Sequence, residues 1–213
     1  MLRPIPTWVY HFTHVDNLLA IARDGLVCDS NAHAPGRLTT EVGARSIKER
    51  RRHVSVTCGP KGVVADYVPF YFGRRGPMLF NIHTGRVPTY QDGQGPLIYL
   101  CSTVEVIENL GLGWAASDRN AAMALASFTS DPAALEGHID WALVQSKFWS
   151  RTDDAPDRPQ RHQAELLVHR RLPWEAITFV ATRDEMVLDR VESVLGTLAG
   201  HQPRRGVRPG WYF

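Results

Sequence analysis

The sequence predicts an α+β fold in a single domain that spans residues 1–213. Helical patterns lie mainly near the two ends of the chain, and the predicted strands do not alternate regularly with helices, which disfavours a doubly wound parallel sheet. The chain has no Walker loop and no Gly-x-Gly-x-x-Gly string after a strand, so a Rossmann fold is not expected. With 44% hydrophobic and 22% charged residues, the chain can build one sizeable core.

The first third of the chain is predicted to open with a strand and then a helix. Residues 7–13 are β-branched and aromatic, which favours a strand. Apolar residues then recur on one helical face over residues 18–22. Residues 28–43 are rich in turn-forming residues and are predicted as a loop. Residues 63–72 are apolar and aromatic, but the proline among them argues against a central strand.

The later elements follow from apolar runs and capping patterns. Ser102 stands three residues before Glu105, which is the pattern of a capping box at the start of a helix. Asp131-Pro132 places proline at the first position of a further helix. In chain order we expect strands at 78–82 and 95–101, helices at 102–110, 120–128 and 131–144, a strand at 177–180 and a helix at 183–198.

One acidic residue stands out in the stretch Arg161–Val168, which is predicted as a short strand. Side chains alternate along a strand, so Gln163 and Glu165 would point to the same face. A polar loop rich in proline and aspartate precedes them. Loops on a rigid scaffold often carry function. By spacing alone, however, an ordinary exposed glutamate on an edge strand is the favoured interpretation.

Charge and cysteine content narrow the class of protein further. The net charge is only +2, but six basic residues fall within positions 45–53, a pattern suited to phosphate if the fold gathers it on one face. Cys28, Cys58 and Cys101 match neither a disulfide framework nor a metal motif, which predicts a reducing, cytoplasmic location. No apolar run approaches the roughly 20 residues that a membrane span needs.

Taken together, several residue strings resemble the DarT family of DNA ADP-ribosyltransferase toxins. The resemblance extends from residue 8 to about residue 180, and the string Asp-Tyr-Val-Pro-Phe-Tyr-Phe beside the His-x-Thr-His opening is its most specific part. The strings that occur in the same order lie at residues 10–18, 47–51, 66–72, 76–79 and 163–165.

The resemblance implies an ADP-ribosyltransferase-like fold, with two small packed β-sheets around an NAD cleft and flanking helices. It implies transfer of ADP-ribose from NAD to a thymidine base in single-stranded DNA, with release of nicotinamide and without a metal. It also implies a partner, the macrodomain antitoxin DarG. Two alternatives stay open: a transferase of the same fold that acts on RNA or protein, and a non-catalytic nucleic-acid-binding module.

Site residues carry over from the family by position. The implied catalytic residues are Glu165 and Arg51. The implied NAD-binding residues are His11, Phe12, Thr13, Ala20, Cys28 and Arg51. The expected DNA-binding residues are Gln163, Arg50, Tyr71, Trp149 and His162, with residues 149–163 as the DNA-contacting loop.

The chemistry fits these roles. Cleavage of the nicotinamide–ribose bond builds positive charge on the ribose, and the ionised carboxylate of Glu165 would stabilise that charge more than the ground state. The amide of Gln163 can both donate to and accept from the acceptor base. Thymidine must lose its ring proton before it attacks. Either Glu165 takes this proton or Arg51 stabilises the resulting anion, since a guanidinium group is a poor base.

Overall fold

The computed structural model describes residues 1–32 and 38–213. Within these described residues, ten strands form two sheets, confirming the α+β class. The strands are β1 (Trp8–His14), β2 (Leu26–Val27), β3 (Tyr67–Tyr71), β4 (Leu97–Thr103), β5 (Trp114–Ser117), β6 (Phe128–Thr129), β7 (Glu165–His169), β8 (Arg171–Leu172), β9 (Phe179–Thr182) and β10 (Arg204–Val207). The α-helices are α1 (Leu18–Asp24), α2 (Asp29–Ala32), α3 (Arg45–Arg51), α4 (Pro77–His83), α5 (Val104–Asn109), α6 (Leu135–His138), α7 (Trp141–Val144), α8 (Arg158–Arg161) and α9 (Glu185–Gly196).

The main sheet has eight strands in the order β10-β9-β4-β1-β3-β7-β5-β6, and β2 and β8 form a separate ribbon. Its strands are antiparallel to their neighbours except for the parallel pair β9–β10. β1 pairs with β4 along its whole length, whereas a single register pair, Tyr10 with Tyr71, joins β1 to β3. The sheet therefore consists of two four-stranded halves, which correspond to the two small sheets expected from the resemblance.

Proline 69 accounts for this separation. Pro69 lies inside β3, and its carbonyl accepts a hydrogen bond from the ring of His11 on β1. The N–H and C=O of one strand residue point to the same side, so the donor that proline lacks falls on the side of β1. The expectation that the proline argues against a central strand was wrong. The backbone N–H that Pro69 lacks would face the gap between the two halves of the sheet, where no ladder hydrogen bond is lost.

The core lies on both faces of the sheet. On one face, α1 and α9 pack through Leu18, Ile21, Val191 and Leu195, all of which are buried. Each such side chain contributes roughly 1.5–3 kcal/mol through removal of apolar surface from water. On the other face, α4 packs with residues of the carboxyl-terminal segment. These two layers fix the position of β1, the strand from which the site is built.

Several predicted elements differ from the structure. Residues 78–82 belong to helix α4, in which Pro77 occupies the first turn and Leu79 and Ile82, three residues apart, are buried. A short apolar run does not distinguish a strand from a buried helix. The helix predicted over 131–144 is interrupted, because Asp140 caps a new helix by accepting from the amide of Leu143. Residues 120–128 do not form a helix: turns and a bend occupy 121–125, and Phe128 begins β6.

The strand predicted over Arg161–Val168 begins only at Glu165. The preceding helix α8 and its turn include Gln163, so Gln163 and Glu165 are not neighbours on one strand face, as predicted from their spacing. β7 also lies between β3 and β5, and Glu165 is 0% exposed. The interpretation of Glu165 as an exposed residue on an edge strand was therefore wrong. None of the described helices is long and apolar enough to cross a membrane.

Candidate active site

A cavity of about 210 Å³ opens where β1 and β3 diverge. Three consecutive residues of β1, His11, Phe12 and Thr13, form one part of its wall. Tyr71 of β3 stacks against Phe12 with 6.1 Å between the ring centroids. The structure thus brings together most of the residues that the sequence singled out. The predicted site residues that line the cavity are His11, Phe12, Thr13, Ala20, Arg51, Tyr71 and Gln163.

A buried ion pair lies at the cavity wall. Nη1 of Arg51, at the end of α3, donates to Oε2 of Glu165 over 2.9 Å. The other carboxylate oxygen accepts from the backbone N–H of Ala121, also over 2.9 Å. Arg51 is 8% exposed and lines the cavity, while Glu165 lies behind it and is fully buried. Among the described residues, the buried Nη2 of Arg51 has no hydrogen-bond partner, so its N–H groups are donors that this part of the protein leaves unused.

His11 presents a neutral imidazole to the cavity. Removal from water is the main cause that lowers the pKa of His11 to about 4. Its Nδ1 lies 2.8 Å from the carbonyl of Pro69. Because a carbonyl can only accept, Nδ1 carries the proton and Nε2 is left as an acceptor. The histidine can therefore receive a hydrogen bond from a hydroxyl or amide of a bound molecule at neutral pH.

Asn17 is a residue that the sequence interpretation missed. Its Oδ1 accepts from the amides of Thr39 and Thr40, each over 2.9 Å, and its Nδ2 donates to Thr13 and to the carbonyl of Thr40. The side chain is 1% exposed, and all four bonds are made within the protein. Asn17 thereby ties the segment 38–44, several residues of which line the cavity, to the strand that forms the opposite wall.

A second polar cluster fixes the same segment to α3. Lys48 donates to both Asp29 and Glu41, and the three side chains line the cavity. Lys48 lies one helical turn before Arg51, so the cluster also restrains the helix that carries the guanidinium. Neither Lys48 nor Asn17 could be connected with residues 38–44 from local sequence patterns.

Gln163 lines the cavity from the turn after α8. Its amide is oriented at both ends: Nε2 donates to the carbonyl of Pro159, and Oε1 accepts from Nδ2 of Asn120. Asn120 also lines the cavity and directly precedes Ala121, the backbone donor to Glu165. The sequence interpretation missed Asn120, because residues 120–128 were expected to be helical.

Besides Glu165, which lies behind Arg51, four predicted site residues do not line the cavity. Cys28 is buried in the core, and burial raises the pKa of its thiol. Arg50 is exposed and donates to the carbonyl of Ser46 on its own helix. Trp149 is half-buried, with its indole N–H bonded to the carbonyl of Arg75. His162 is 1% exposed and contacts the carbonyl of Ser146, and burial lowers its pKa to about 4.

The arrangement is suited to a reaction that develops positive charge. The carboxylate of Glu165 is held by two donors and lies beside the guanidinium of Arg51, whose Nη2 is unused among the described residues. Both lie next to a largely apolar cavity with a few polar atoms. Within residues 1–32 and 38–213, no group of three or more histidine, cysteine, aspartate or glutamate side chains is placed to hold a metal ion.

Comparisons with known proteins agree in the family that they indicate. Residues 10–213 match the family described as ssDNA thymidine ADP-ribosyltransferase, DarT. A DNA ADP-ribosyl transferase from Thermus sp. (strain 2.9) is 35% identical over 211 residues, which cover 99% of this chain and 98% of the relative.

Two solved structures are similar over the same extent. The structure of Thermus sp. 2.9 DarT in complex with ADP-ribosylated ssDNA has a TM-score of 0.92 and 33% identity, and the match covers 100% of this chain and 99% of that one. The structure of Thermus sp. 2.9 DarT in complex with NAD+ has a TM-score of 0.87 and 32% identity, with 99% of each chain covered.

Proposed function

The chain belongs to the DarT family of ssDNA thymidine ADP-ribosyltransferases, and we propose that the cavity between β1 and β3 is where it uses NAD+ to modify DNA. The resemblance inferred from the residue strings is confirmed by the family match and by the solved structures. The enzyme transfers ADP-ribose from NAD+ to thymidine in single-stranded DNA and releases nicotinamide. The observation that carries the site assignment is the buried Arg51–Glu165 pair at the cavity wall.

In the proposed reaction the bond between the nicotinamide nitrogen and C1′ of the ribose breaks, and its electron pair leaves with nicotinamide. The ribose then carries positive charge, which the ionised carboxylate of Glu165 stabilises. Each carboxylate oxygen accepts one hydrogen bond in the structure and has a further lone pair. Glu165 therefore has free acceptor positions for a ribose hydroxyl, and because its carboxylate is fully buried, we propose that the wall covering it moves when NAD+ binds.

The thymine ring nitrogen carries a proton that must leave, and this gives two candidate roles for Glu165 and Arg51. As the thymine ring nitrogen bonds to C1′, it releases its proton to Glu165, or the ring first loses its proton to water and Arg51 stabilises the anion. The buried Nη2 of Arg51 has no hydrogen-bond partner among the described residues, and this favours the second role because it is an unused donor beside the carboxylate. We assign Arg51 to electrostatic stabilisation and Glu165 to the ribose cation.

The remaining predicted residues divide into an NAD-binding and a DNA-binding group. We propose that His11, Phe12, Thr13 and Ala20 contact NAD+, because they line the cavity. Cys28 supports this wall from the core rather than by direct contact.

For DNA, Gln163 is the side chain best placed to bind the target base, because its amide is oriented and lies in the cavity wall. Tyr71 also lines the cavity and offers a ring for stacking. Contacts of DNA with Arg50, Trp149 and His162 in and around the 149–163 loop stay predictions.

We also propose that residues 1–213 act as one cytoplasmic catalytic domain, the toxin of a toxin–antitoxin pair whose partner is a DarG-type macrodomain antitoxin. The three free cysteines are compatible with a reducing compartment. The partner and the toxin role rest on family membership, and co-expression with a DarG-type macrodomain would test both. Relief of growth arrest by the macrodomain supports the pairing, and undiminished arrest contradicts it.

The reaction is tested with labelled NAD+ and matched panels of DNA, RNA and protein, followed by mass spectrometry of each acceptor. We expect ADP-ribose on thymidine of single-stranded DNA. Glu165→Gln keeps the size of the side chain and removes its charge, so the rate should fall by roughly 10²–10³-fold. Glu192→Gln, which removes a carboxylate from the surface of α9, is the matched control. Label on RNA or protein alone would refute the acceptor, and a wild-type rate for Glu165→Gln would refute the site.

A further inference from the structure

Two consecutive arginines lie in the turn Gly73–Gly76, which joins β3 to α4. Tyr71 precedes this turn and Met78 follows it, and both side chains line the cavity. Arg74 is exposed and Arg75 is half-buried. The turn is therefore a positively charged segment at the border of the active site, and no role has been assigned to it.

Both guanidinium groups are held against aromatic rings. The Cζ atom of Arg74 lies 4.7 Å from the ring centroid of Trp211 and 5.4 Å from that of Tyr10, and Cζ of Arg75 lies 4.6 Å from that of Phe213. Among the described residues neither guanidinium has a carboxylate within salt-bridge distance or a hydrogen-bond acceptor. Ring contacts orient a guanidinium and leave its N–H groups free for an anion.

Two other arginines near the predicted DNA-contacting loop are already neutralised. Arg119 pairs with Asp118 and Asp157, and Arg161 pairs with Asp140 and Asp157. A phosphate would have to compete with these carboxylates for the same N–H groups, whereas at Arg74 and Arg75 it would meet no such competitor.

The backbone of the turn is also constrained to present these side chains. Arg75 has a φ of 53°, in the left-handed region that residues with a Cβ rarely adopt. At Gly73 a Cβ would lie 2.2 Å from the carbonyl oxygen of Val144, so the turn packs directly against the end of α7. The indole of Trp149 donates to the carbonyl of Arg75 and fixes the turn from the loop side.

The turn lies on the same face of β1 as Phe12, one of the residues that line the cavity. Arg74 lies over the ring of Tyr10, and Phe12 lies in the cavity wall. These two residues of β1, Tyr10 and Phe12, are two positions apart, so their side chains point to the same face at a spacing of about 7 Å. Given the function proposed above, we propose that Arg74 and Arg75 bind the backbone phosphates of the single-stranded DNA next to the target thymidine. This surface would hold the strand while the base enters the cavity, and it would be indifferent to sequence.

The proposal is tested by direct binding of a fluorescent oligonucleotide with one central thymidine, measured by anisotropy over a range of NaCl concentrations. This readout does not depend on catalysis, so a failure of the proposed reaction leaves it interpretable. Arg74→Ala and Arg75→Gly each remove one charge, and glycine tolerates the φ at position 75. For single strands, each phosphate contact adds about 0.7 to the log–log salt slope. Raising NaCl from about 50 to about 200 mM weakens DNA binding. The weakening should be about 2.6-fold smaller for each variant than for the wild type.

Two further variants separate phosphate binding from other effects. Arg204→Ala removes an equal charge from the exposed end of the edge strand β10, and it should keep the wild-type salt slope. Arg74→Lys keeps the charge and should also keep the slope. If the slopes of Arg74→Ala and Arg75→Gly match that of the wild type, or if Arg204→Ala lowers the slope as much, the phosphate contacts proposed here do not exist.

Discussion

The Arg51–Glu165 pair is expected to contribute to folding as well as to chemistry, and this can be measured without substrate. Both side chains are at least nine-tenths buried. Glu165→Ala leaves a buried guanidinium without its counter-charge and the amide of Ala121 without its acceptor. Loss of one partner of a buried pair costs about 3–5 kcal/mol, which for a chain of this length lowers the melting temperature by roughly 6–20 °C.

The assay is a double-mutant cycle by urea unfolding, followed through tryptophan fluorescence. Arg51→Met and Glu165→Leu should each destabilise strongly, whereas the double variant should recover most of the loss, since apolar residues of similar volume can replace a buried pair. The exposed pair between Arg190 and Asp16 is the control, with a coupling energy expected below about 1 kcal/mol. Additive effects at Arg51 and Glu165 would refute the reasoning, and inactive Glu165 variants would then have to be explained by chemistry alone.

Two other predictions concern pH and the wall of the cavity. His11 and His162 both have a folded-state pKa of about 4, below the ordinary value of about 6.5. As pH falls, the unfolded chain therefore takes up protons on these rings before the folded chain does. The free energy of unfolding should fall as pH drops from about 6.5 towards 4. The loss reaches at most about 3 kcal/mol for each ring, and urea unfolding across this range should show a shallower dependence for His162→Gln; an unchanged profile would contradict the assignment. Asn17→Leu removes all four bonds to Thr13, Thr39 and Thr40, so calorimetry should show NAD+ affinity reduced by roughly tenfold or more, and wild-type affinity would contradict the role of Asn17 in the wall.

Local patterns predicted the strand that carries one part of the site, and the family resemblance implied its NAD-binding residues. Residues 7–13 form β1 almost as expected, and His11, Phe12 and Thr13 line the cavity. Arg51 and Glu165, 114 residues apart, were connected only by the family resemblance, since nothing in their own surroundings in the sequence indicates that they meet. The structure supplies the contact and shows that it is buried.

Other parts of the site depend on contacts between distant segments. The amide of Asn17 binds residues 22 and 23 positions away, which no periodicity shows. Gln163 lines the cavity, but not for the reason predicted from its spacing: it reaches the cavity from a turn after α8, not from the face of β7. The alternation rule holds only within a strand, and the start of β7 could not be located from polar residues that suit a strand and a helix equally.

The left-handed conformation of Arg75 has a consequence for selection experiments. A side chain at this φ costs about 1–2 kcal/mol, and the contact of Arg75 with Phe213 returns only about 0.5–1 kcal/mol. A library screened for heat resistance alone should therefore become enriched in Arg75→Gly, whereas a library screened for DNA modification should retain the arginine. The frequency of one codon in the two pools would show whether this position is kept for folding or for activity.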